Sequence, residues 1–152
     1  MTALVSPRAR NIDAALAIIR IIVGIVFFVH GYQKVFQFGF AGVSGFFGKA
    51  GIPLPGVSGP FVALLELLGG IALVLGVATR IVAALFVIEM LVAILLVHLK
   101  AGFFAPNGFE YPLTLCLASL ALALAGPGAY SVDGTIAGRR EAPPTMATAN
   151  RV

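Results

Sequence analysis

Residues 20–34 read RIIVGIVFFVHGYQK, an apolar run long enough to enter a bilayer that nevertheless carries polar side chains. Arginine, histidine, glutamine and lysine are costly in hydrocarbon unless a partner neutralises them. At about 100° per residue, one helical face holds Arg20, Gly24, Phe27, Gly31 and Lys34, with His30 at its edge. The two glycines allow a neighbouring backbone to approach closely. We therefore expect this face to point into protein rather than lipid.

The composition places the whole chain in the membrane class. Hydrophobic residues make up 60% of the 152 residues, charged residues make up 11%, and the mean hydropathy is +1.06. Soluble domains are about half apolar and about a quarter charged, so this sequence predicts an integral membrane protein. One helical bundle accounts for the length and leaves no room for a separate soluble domain.

Charge and cysteine content exclude two classes of function. The net charge is +4 and the pI is about 9.7, but the basic residues are scattered between apolar runs. Nucleic-acid binding requires a basic stripe, so we expect no nucleic-acid partner. The single cysteine, Cys116, lies in an apolar run. It excludes an intrachain disulfide or a Cys-x-x-Cys redox pair and favours a packing role.

Apolar runs and turn residues predict an all-α, four-helix membrane bundle. A cytoplasmic arm covers residues 1–12, a membrane domain covers 13–134, and a disordered cytoplasmic tail covers 135–152. The four helices are expected at about 14–35, 60–78, 81–99 and 110–126. Pro60 suits the first turn of the second helix. The tight turn at Thr79-Arg80 makes the second and third helices antiparallel neighbours.

Residues 35–59 connect the first two helices and differ in character from the spans. Glycines recur at positions 39, 42, 45, 48 and 51, interleaved with phenylalanines. We interpret this Gly/Phe-rich segment as a structured extracytoplasmic loop with room for one short interfacial helix. The sequence leaves open whether the loop is a lid over one end of the bundle or a simple interfacial anchor.

An even number of spans places both termini on one side of the membrane. That side carries arginines at positions 8, 10, 80, 139, 140 and 151, and the other side carries Lys34, Lys49 and Lys100. Because cytoplasmic loops carry the excess of basic residues, we expect both termini to be cytoplasmic.

The ionisable residues inside the predicted spans require partners. A rise of about 1.5 Å per residue from the expected helix ends puts Arg20 and Glu89 at similar depth, which predicts an intramembrane ion pair. Lys34 and Glu66 lie at one level near the outer end, and Glu66 shares a helical face with Gly70. The leading geometric prediction is a Lys34–Glu66 pair with His30 beside it.

The candidate site is an outer polar cluster of His30, Lys34, Glu66, His98 and Glu110. Such a cluster is compatible with binding a quinone head group, relaying protons or holding a small anion, and equally with an ordinary polar network between helices. Glu89 and His98 are half a turn apart on the helical wheel, so we expect them not to act together. The histidines and glutamates match no recognised metal spacing, and no catalytic motif is present.

The order and spacing of these residues resemble those of the DoxX family. The resemblance covers roughly residues 16–134, and Glu89 is not among the matching positions. It is carried by Arg20, Gly24, His30-Gly31, Lys34, Gly51-Ile52-Pro53, Glu66-Leu67, Gly69-Gly70, Gly76, Thr79-Arg80, His98, Glu110-Tyr111-Pro112 and the segment 126–133.

The resemblance implies a four-helix protein of the bacterial inner membrane. The family includes a small subunit of a thiosulfate:quinone oxidoreductase, a membrane component of a thiol-oxidative-stress complex, and proteins that assist maturation or export of partners. The first hypothesis is an accessory membrane subunit of a redox or oxidative-stress system, with a protein partner or a homo-oligomeric state and a quinone-sized pocket. The alternatives are a quinone-reducing oxidoreductase subunit and a small proton-coupled transporter. The sequence leaves open whether the chain is an enzyme.

Overall fold

The computed structural model of the chain describes residues 7–141, with side chains through residue 137, and this part of the chain is helical without strands. Six α-helices follow one another: α1 Pro7–Tyr32, α2 Gly39–Lys49, α3 Pro55–Leu75, α4 Thr79–Ala93, α5 Glu110–Ala125 and α6 Val132–Glu141. A π-helical turn, Gln33–Phe38, extends α1. Another, Ile94–His98, extends α4 and leads into a 3-10 turn, Leu99–Ala101.

Within residues 7–141, three helical stretches are long and apolar enough to cross a membrane. They are Pro7–Lys49, which contains α1 and α2, Pro55–Leu75, which is α3, and Thr79–Ala101, which contains α4 and its extension. Helix α5 is apolar but has 16 residues, a length of about 24 Å. It packs along α4 and completes the bundle. The predicted all-α membrane bundle is confirmed.

The second helix begins and ends earlier than the predicted 60–78, and the local backbone explains both shifts. Pro55 occupies the first turn, where a missing N–H costs nothing, so Pro60 lies inside the helix and does not open it. Gly76 follows the last helical residue with φ of 73°, the left-handed conformation that commonly ends helices. As a result α3 covers Pro55–Leu75.

The third helix begins at Thr79 rather than at 81 because a distant side chain caps it. The two carboxylate oxygens of Asp133 accept hydrogen bonds from the backbone N–H groups of Ala78 and Thr79, each at 3.0 Å. The turn between α3 and α4 therefore occupies residues 76–78, one step before the predicted Thr79-Arg80 turn. The first helix also begins earlier than predicted, at Pro7 instead of about 14.

The Gly/Phe-rich segment contains more helix than the prediction of a structured loop suggests. Gly39 has φ of 69° and redirects the chain after the π-helical turn, and α2 follows it. Val43 and Phe47 of α2 are buried, and the helix packs against α3. The backbone of Ser44 lies so close to Gly59 that an added Cβ there would meet Ser44 N at 3.1 Å.

The predicted disordered tail is helical at its start. Helix α6 covers Val132–Glu141, so residues 135–141 belong to a helix that the side chains of Ser131 and Thr135 help to stabilise. The remainder of the predicted tail, 142–152, lies outside the described residues.

Glycines bring α1 and α3 into close contact, as the first stretch predicts. A Cβ added at Gly24 would lie 2.8 Å from Gly70 O, and one added at Gly31 would overlap the backbone of Leu67. Beside this contact the core contains a stacked pair, Phe27 and Phe86, with ring centroids 3.6 Å apart. The bundle has a terminal end, with residue 7, the 76–78 turn and α6, and a loop end, with residues 33–54 and 99–109.

Candidate functional site

The site is built around an ion pair between α1 and α3. The π-helical turn that extends α1 carries Lys34, and Glu66 lies on the face of α3 that packs against α1. Lys34 Nζ is 2.5 Å from Glu66 Oε2, which confirms the predicted pair. Glu66 is 2% exposed.

Glu89 joins this pair from α4. Its carboxyl group lies beside the Glu66 carboxyl group and close enough to Lys34 to interact with its charge. Both glutamates line the same cavity. The helix ends explain the meeting: Glu66 lies nine residues before the end of α3 and Glu89 ten residues after the start of α4. Because the two helices are antiparallel, both residues lie about 14–15 Å from the terminal end.

The predicted Arg20–Glu89 pair is wrong. Arg20 is buried at the terminal end, where its guanidinium donates hydrogen bonds to the carbonyls of Leu73 at 2.6 Å, Val74 at 2.9 Å and Tyr130 at 2.7 Å. Carbonyls at the end of a helix lack helical partners and carry partial negative charge, so they satisfy the cation without a carboxylate.

The error in the Arg20 prediction comes from the helix boundaries. The sequence-based estimate of depth in the membrane assumes that α1 starts near residue 14, whereas α1 begins at Pro7. Arg20 therefore packs beside the last turn of α3. Glu89 is about 15 Å further along the bundle axis from that end, so the two residues are at different levels.

A cavity of about 630 Å³ adjoins the Lys34–Glu66–Glu89 cluster. Its polar lining comes from His30, Lys34, Glu66, Glu89, His98 and Tyr111, and Ser58 also borders it. The remaining wall is apolar and includes Phe27, Phe47, Leu65, Ile88 and Leu115, so all helices from α1 to α5 contribute. The volume is typical of small-molecule sites, which range over about 300–1,000 Å³.

Both histidines of the predicted cluster line this cavity. Each donates Nδ1–H to a backbone carbonyl, His30 to Val26 at 2.9 Å and His98 to Asn107 at 2.8 Å. His98 lines the same cavity as Glu89, although the helical wheel places them on opposite faces. The π-helical turn Ile94–His98 explains the difference, because its wider turn rotates the following side chain away from the α-helical register.

Glu110 lies outside this cavity, in contrast to the predicted cluster. Its Oε1 accepts a hydrogen bond from the Ala105 backbone N–H at 2.8 Å, and it lines a separate, smaller depression. The neighbouring Tyr111 takes a place in the cavity instead, with its ring centroid 6.3 Å from that of His30. Tyr111 is not among the residues predicted from the sequence. Its position directly after the candidate Glu110 is the sequence feature that could have indicated it.

The arrangement favours polar recognition and proton exchange over other chemistry. Lys34 and the two histidines supply N–H donors, and the two glutamates accept hydrogen bonds or carry protons. Cys116 is buried away from the cavity, with Sγ 3.9 Å from Val87 O, so it packs in the core. Among the side chains described, those of residues 7–137, no group of three or more His, Cys, Asp or Glu is placed to hold a metal ion.

Comparison with known proteins identifies relatives. The Bacillus subtilis (strain 168) protein named "Putative oxidoreductase CatD" is 40% identical over 124 residues, covering 82% of this chain and 88% of the relative. The "Inner membrane protein YqjF" of Escherichia coli (strain K12) is 36% identical over 123 residues, covering 80% and 91%. The "Uncharacterized membrane protein Rv3486" of Mycobacterium tuberculosis is 32% identical over 135 residues, covering 82% of each. No solved structure is significantly similar to the chain.

The family model for DoxX matches residues 15–99, which include most of α1, all of α2, α3 and α4, and the Lys34–Glu66–Glu89 cluster. More than half of the chain is covered by this match, and the relatives extend the similarity to about four fifths of it. The chain therefore belongs to the DoxX family of membrane proteins.

Proposed function

We propose that this protein is an integral membrane subunit of a bacterial redox or oxidative-stress system whose cavity binds the head group of a quinone-type, lipid-soluble carrier. The observation that carries the proposal is the cavity of about 630 Å³, apolar along most of its wall and polar at the Lys34–Glu66–Glu89 cluster. A pocket with few convergent polar groups in an apolar wall suits an amphipathic ligand with one polar end.

The side chains around the cavity fit such a head group. Quinone carbonyls accept hydrogen bonds, and the Lys34 ammonium and the Tyr111 hydroxyl supply donors at the polar end. Apolar residues of α3 and α4 surround the space that a ring and its tail require. A bound quinone supplies two-electron redox chemistry that the side chains of this cluster do not possess.

The cavity is open, which supports access from the bilayer. Phe61 of α3 and Ile88 of α4 line it and are 56% and 60% exposed. In a membrane, an apolar opening between two spans faces lipid, where carriers of this class are dissolved. We propose that the loop end of the bundle faces the extracytoplasmic side and that both termini are cytoplasmic, because arginines concentrate toward the terminal end.

An accessory role is the first reading, because the cluster contains no redox-active group of its own. In that reading the protein forms a lasting complex with a partner and presents the carrier to it. The name of the Bacillus subtilis relative supports the second reading, in which the chain is part of a quinone-reducing oxidoreductase. Both readings require the carrier in the cavity, and they differ in whether His30 and the glutamates are needed for turnover.

The test measures quinone bound to the protein in its native lipid. The wild type and the variants His30→Ala and Ile88→Trp are extracted from bacterial membranes in lipid nanodiscs, and quinone per chain is quantified by mass spectrometry. We expect about one quinone per wild-type chain and a loss of at least about tenfold in Ile88→Trp, whose larger ring enters the cavity. Glu110→Gln is the matched control, because Glu110 lies outside the cavity.

Two results distinguish the accessory role from the quinone-reducing role. An accessory protein co-purifies with a stoichiometric partner, and the complex keeps its activity in Glu66→Gln if the variant folds. A quinone-reducing subunit loses reduction in His30→Ala while its amount in the membrane is unchanged. A wild type with no more quinone than an unrelated membrane protein from the same extract overturns the proposed cavity function.

A further inference from the structure

The Lys34–Glu66–Glu89 cluster contains two acidic groups and one basic group. Glu66 is buried and in contact with the Lys34 ammonium. Glu89 reaches the same point from α4, and its Oε2 atom is buried without a hydrogen-bond partner. A cluster of one ammonium and two carboxylates would carry a net negative charge between apolar helices.

That charge state is unfavourable for two reasons. Two carboxylates in one site repel each other, and a buried ionised group without its own partner is costly. The cost disappears if a single proton is added, because the cluster then contains one ammonium, one carboxylate and one carboxylic acid. A carboxylic acid donates a hydrogen bond to a carboxylate, and two carboxylates facing each other cannot form one.

We propose that Glu66 and Glu89 share one exchangeable proton: Glu66 is the carboxylate that pairs with Lys34, and Glu89 is the carboxylic acid that donates its O–H to Glu66. The cavity that both residues line gives the proton a route to water, which takes it up when it leaves. The site is thus a proton-binding site, and it requires no quinone, so it stands independently of the proposed function.

The other titratable side chains that line the cavity make their recorded polar contacts outside the Lys34–Glu66–Glu89 cluster. His30 of α1 and His98 after α4 use Nδ1–H on backbone carbonyls, and Tyr111 of α5 contributes a neutral hydroxyl. Helix α2 contributes Phe46 and Phe47 to the cavity and no titratable side chain. Among the side chains that line this cavity, Lys34 is the basic group in direct contact with a carboxylate of the cluster.

Infrared spectroscopy tests the proposal directly, because the C=O stretch of a carboxylic acid is separate from carboxylate bands. The purified protein is measured in lipid nanodiscs near neutral pH, in light and in heavy water. We expect one acid band in the wild type, shifted by deuterium exchange. The band disappears in Glu89→Gln and also in Glu66→Gln, because the remaining carboxyl group then ionises against Lys34.

Further variants make the assignment specific. Lys34→Met removes the cation, so we expect two acid bands or one of about doubled intensity. Glu110→Gln keeps the wild-type band and serves as the matched control. A wild type without an exchangeable acid band overturns the proposal even if every variant fails to fold. A band that survives in Glu66→Gln overturns the sharing, because Glu89 would then hold the proton alone.

Discussion

Glu66 is held between two ionisable side chains that come from different helices, Lys34 after α1 and Glu89 on α4. In a membrane interior such contacts have a larger effect on stability than on a protein surface, because water does not screen the charges. Each glutamate can serve as the carboxylate that Lys34 requires. The two acidic residues are therefore partly redundant as partners of the cation.

This redundancy predicts strongly non-additive effects of substitution. We expect Glu66→Gln and Glu89→Gln each to lower the free energy of unfolding by about 1 kcal/mol, since one carboxylate remains for Lys34. The double variant leaves the ammonium without a partner and should lose about 3–5 kcal/mol. Unfolding of the four proteins in detergent completes the double-mutant cycle. Additive losses would show that Lys34 does not depend on either glutamate.

A second prediction at this scale concerns the glycine contact between α1 and α3. Gly31→Ala places a methyl group against the Leu67 backbone, which cannot move aside without shifting the helix. We expect a loss of about 1–3 kcal/mol in the free energy of unfolding. Gly45→Ala in α2 is the matched control, because no neighbouring atom lies within 4 Å of a Cβ added at Gly45. Equal melting temperatures for the two variants would contradict the close contact.

At the scale of the elements, the start of α4 depends on a residue that is distant in the sequence. Asp133 lies in the first turn of α6 and accepts hydrogen bonds from the backbone N–H groups of Ala78, which precedes α4, and of Thr79, its first residue. A carboxylate at this position satisfies donors that lack helical partners and interacts favourably with the helix dipole. The cap also ties α6 to the α3–α4 turn.

Removal of this cap should loosen both helices. We expect Asp133→Ala to cost about 1 kcal/mol of stability, as the loss of a helix cap usually does. Hydrogen exchange at the amides of Ala78 and Thr79 should accelerate, while exchange in the middle of α5 stays unchanged. Asp133→Asn keeps one acceptor oxygen and should give an intermediate result. Unchanged exchange at both amides would contradict the capping role.

The helix boundaries determine how much of the site can be predicted from sequence. The Lys34–Glu66 pair is predictable because glycines on the two helices define which faces meet, and a shift of a few residues in the helix ends leaves these two faces in contact. Arg20 is different, since its level depends on where α1 starts and α3 ends. Local turn chemistry at Pro55 and a distant contact from Asp133 set such boundaries. Sequence periodicity reveals neither the turn at Pro55 nor the contact from Asp133. The depths of Arg20 and Glu89 could therefore not be compared correctly without the structure.

At the scale of the whole molecule, Arg20 joins three parts of the chain. Its guanidinium connects α1 to the last carbonyls of α3 and to Tyr130 in the segment between α5 and α6. Asp13 adds a nearby link, since its Oδ1 accepts a hydrogen bond from the Ala129 backbone N–H at 3.0 Å. The terminal end is therefore closed by polar contacts with backbone groups.

Substitution of Arg20 by lysine should open this end. A lysine ammonium lacks the planar fork with which Arg20 reaches carbonyls on two separate segments. We expect Arg20→Lys to lower the free energy of unfolding by about 1.5–3 kcal/mol, the range for hydrogen bonds to charged groups, with faster proteolysis after residue 126. Arg8→Lys is the matched control, because Arg8 is exposed near the start of α1. A melting temperature equal to that of the control would contradict the role of the guanidinium.

The proposed orientation in the membrane is testable with single cysteines. In a Cys116→Ala background, Phe104→Cys lies at the loop end, where residue 104 is 79% exposed, and Arg10→Cys lies at the terminal end. We expect a membrane-impermeant maleimide to label Phe104→Cys in spheroplasts and Arg10→Cys only after permeabilisation. The reverse pattern would place the termini on the extracytoplasmic side.

Five helices contribute to a single wall around the space beside Glu66 and Glu89. Whatever occupies that space would touch all of them at once, so occupancy and cohesion of the assembly are thermodynamically linked. A compound present at a hundredfold excess over its dissociation constant would add about 2.7 kcal/mol to the stability of the folded state. The melting temperature of the protein, measured with each fraction of a membrane lipid extract, would then show which fraction contains the natural ligand of the cavity.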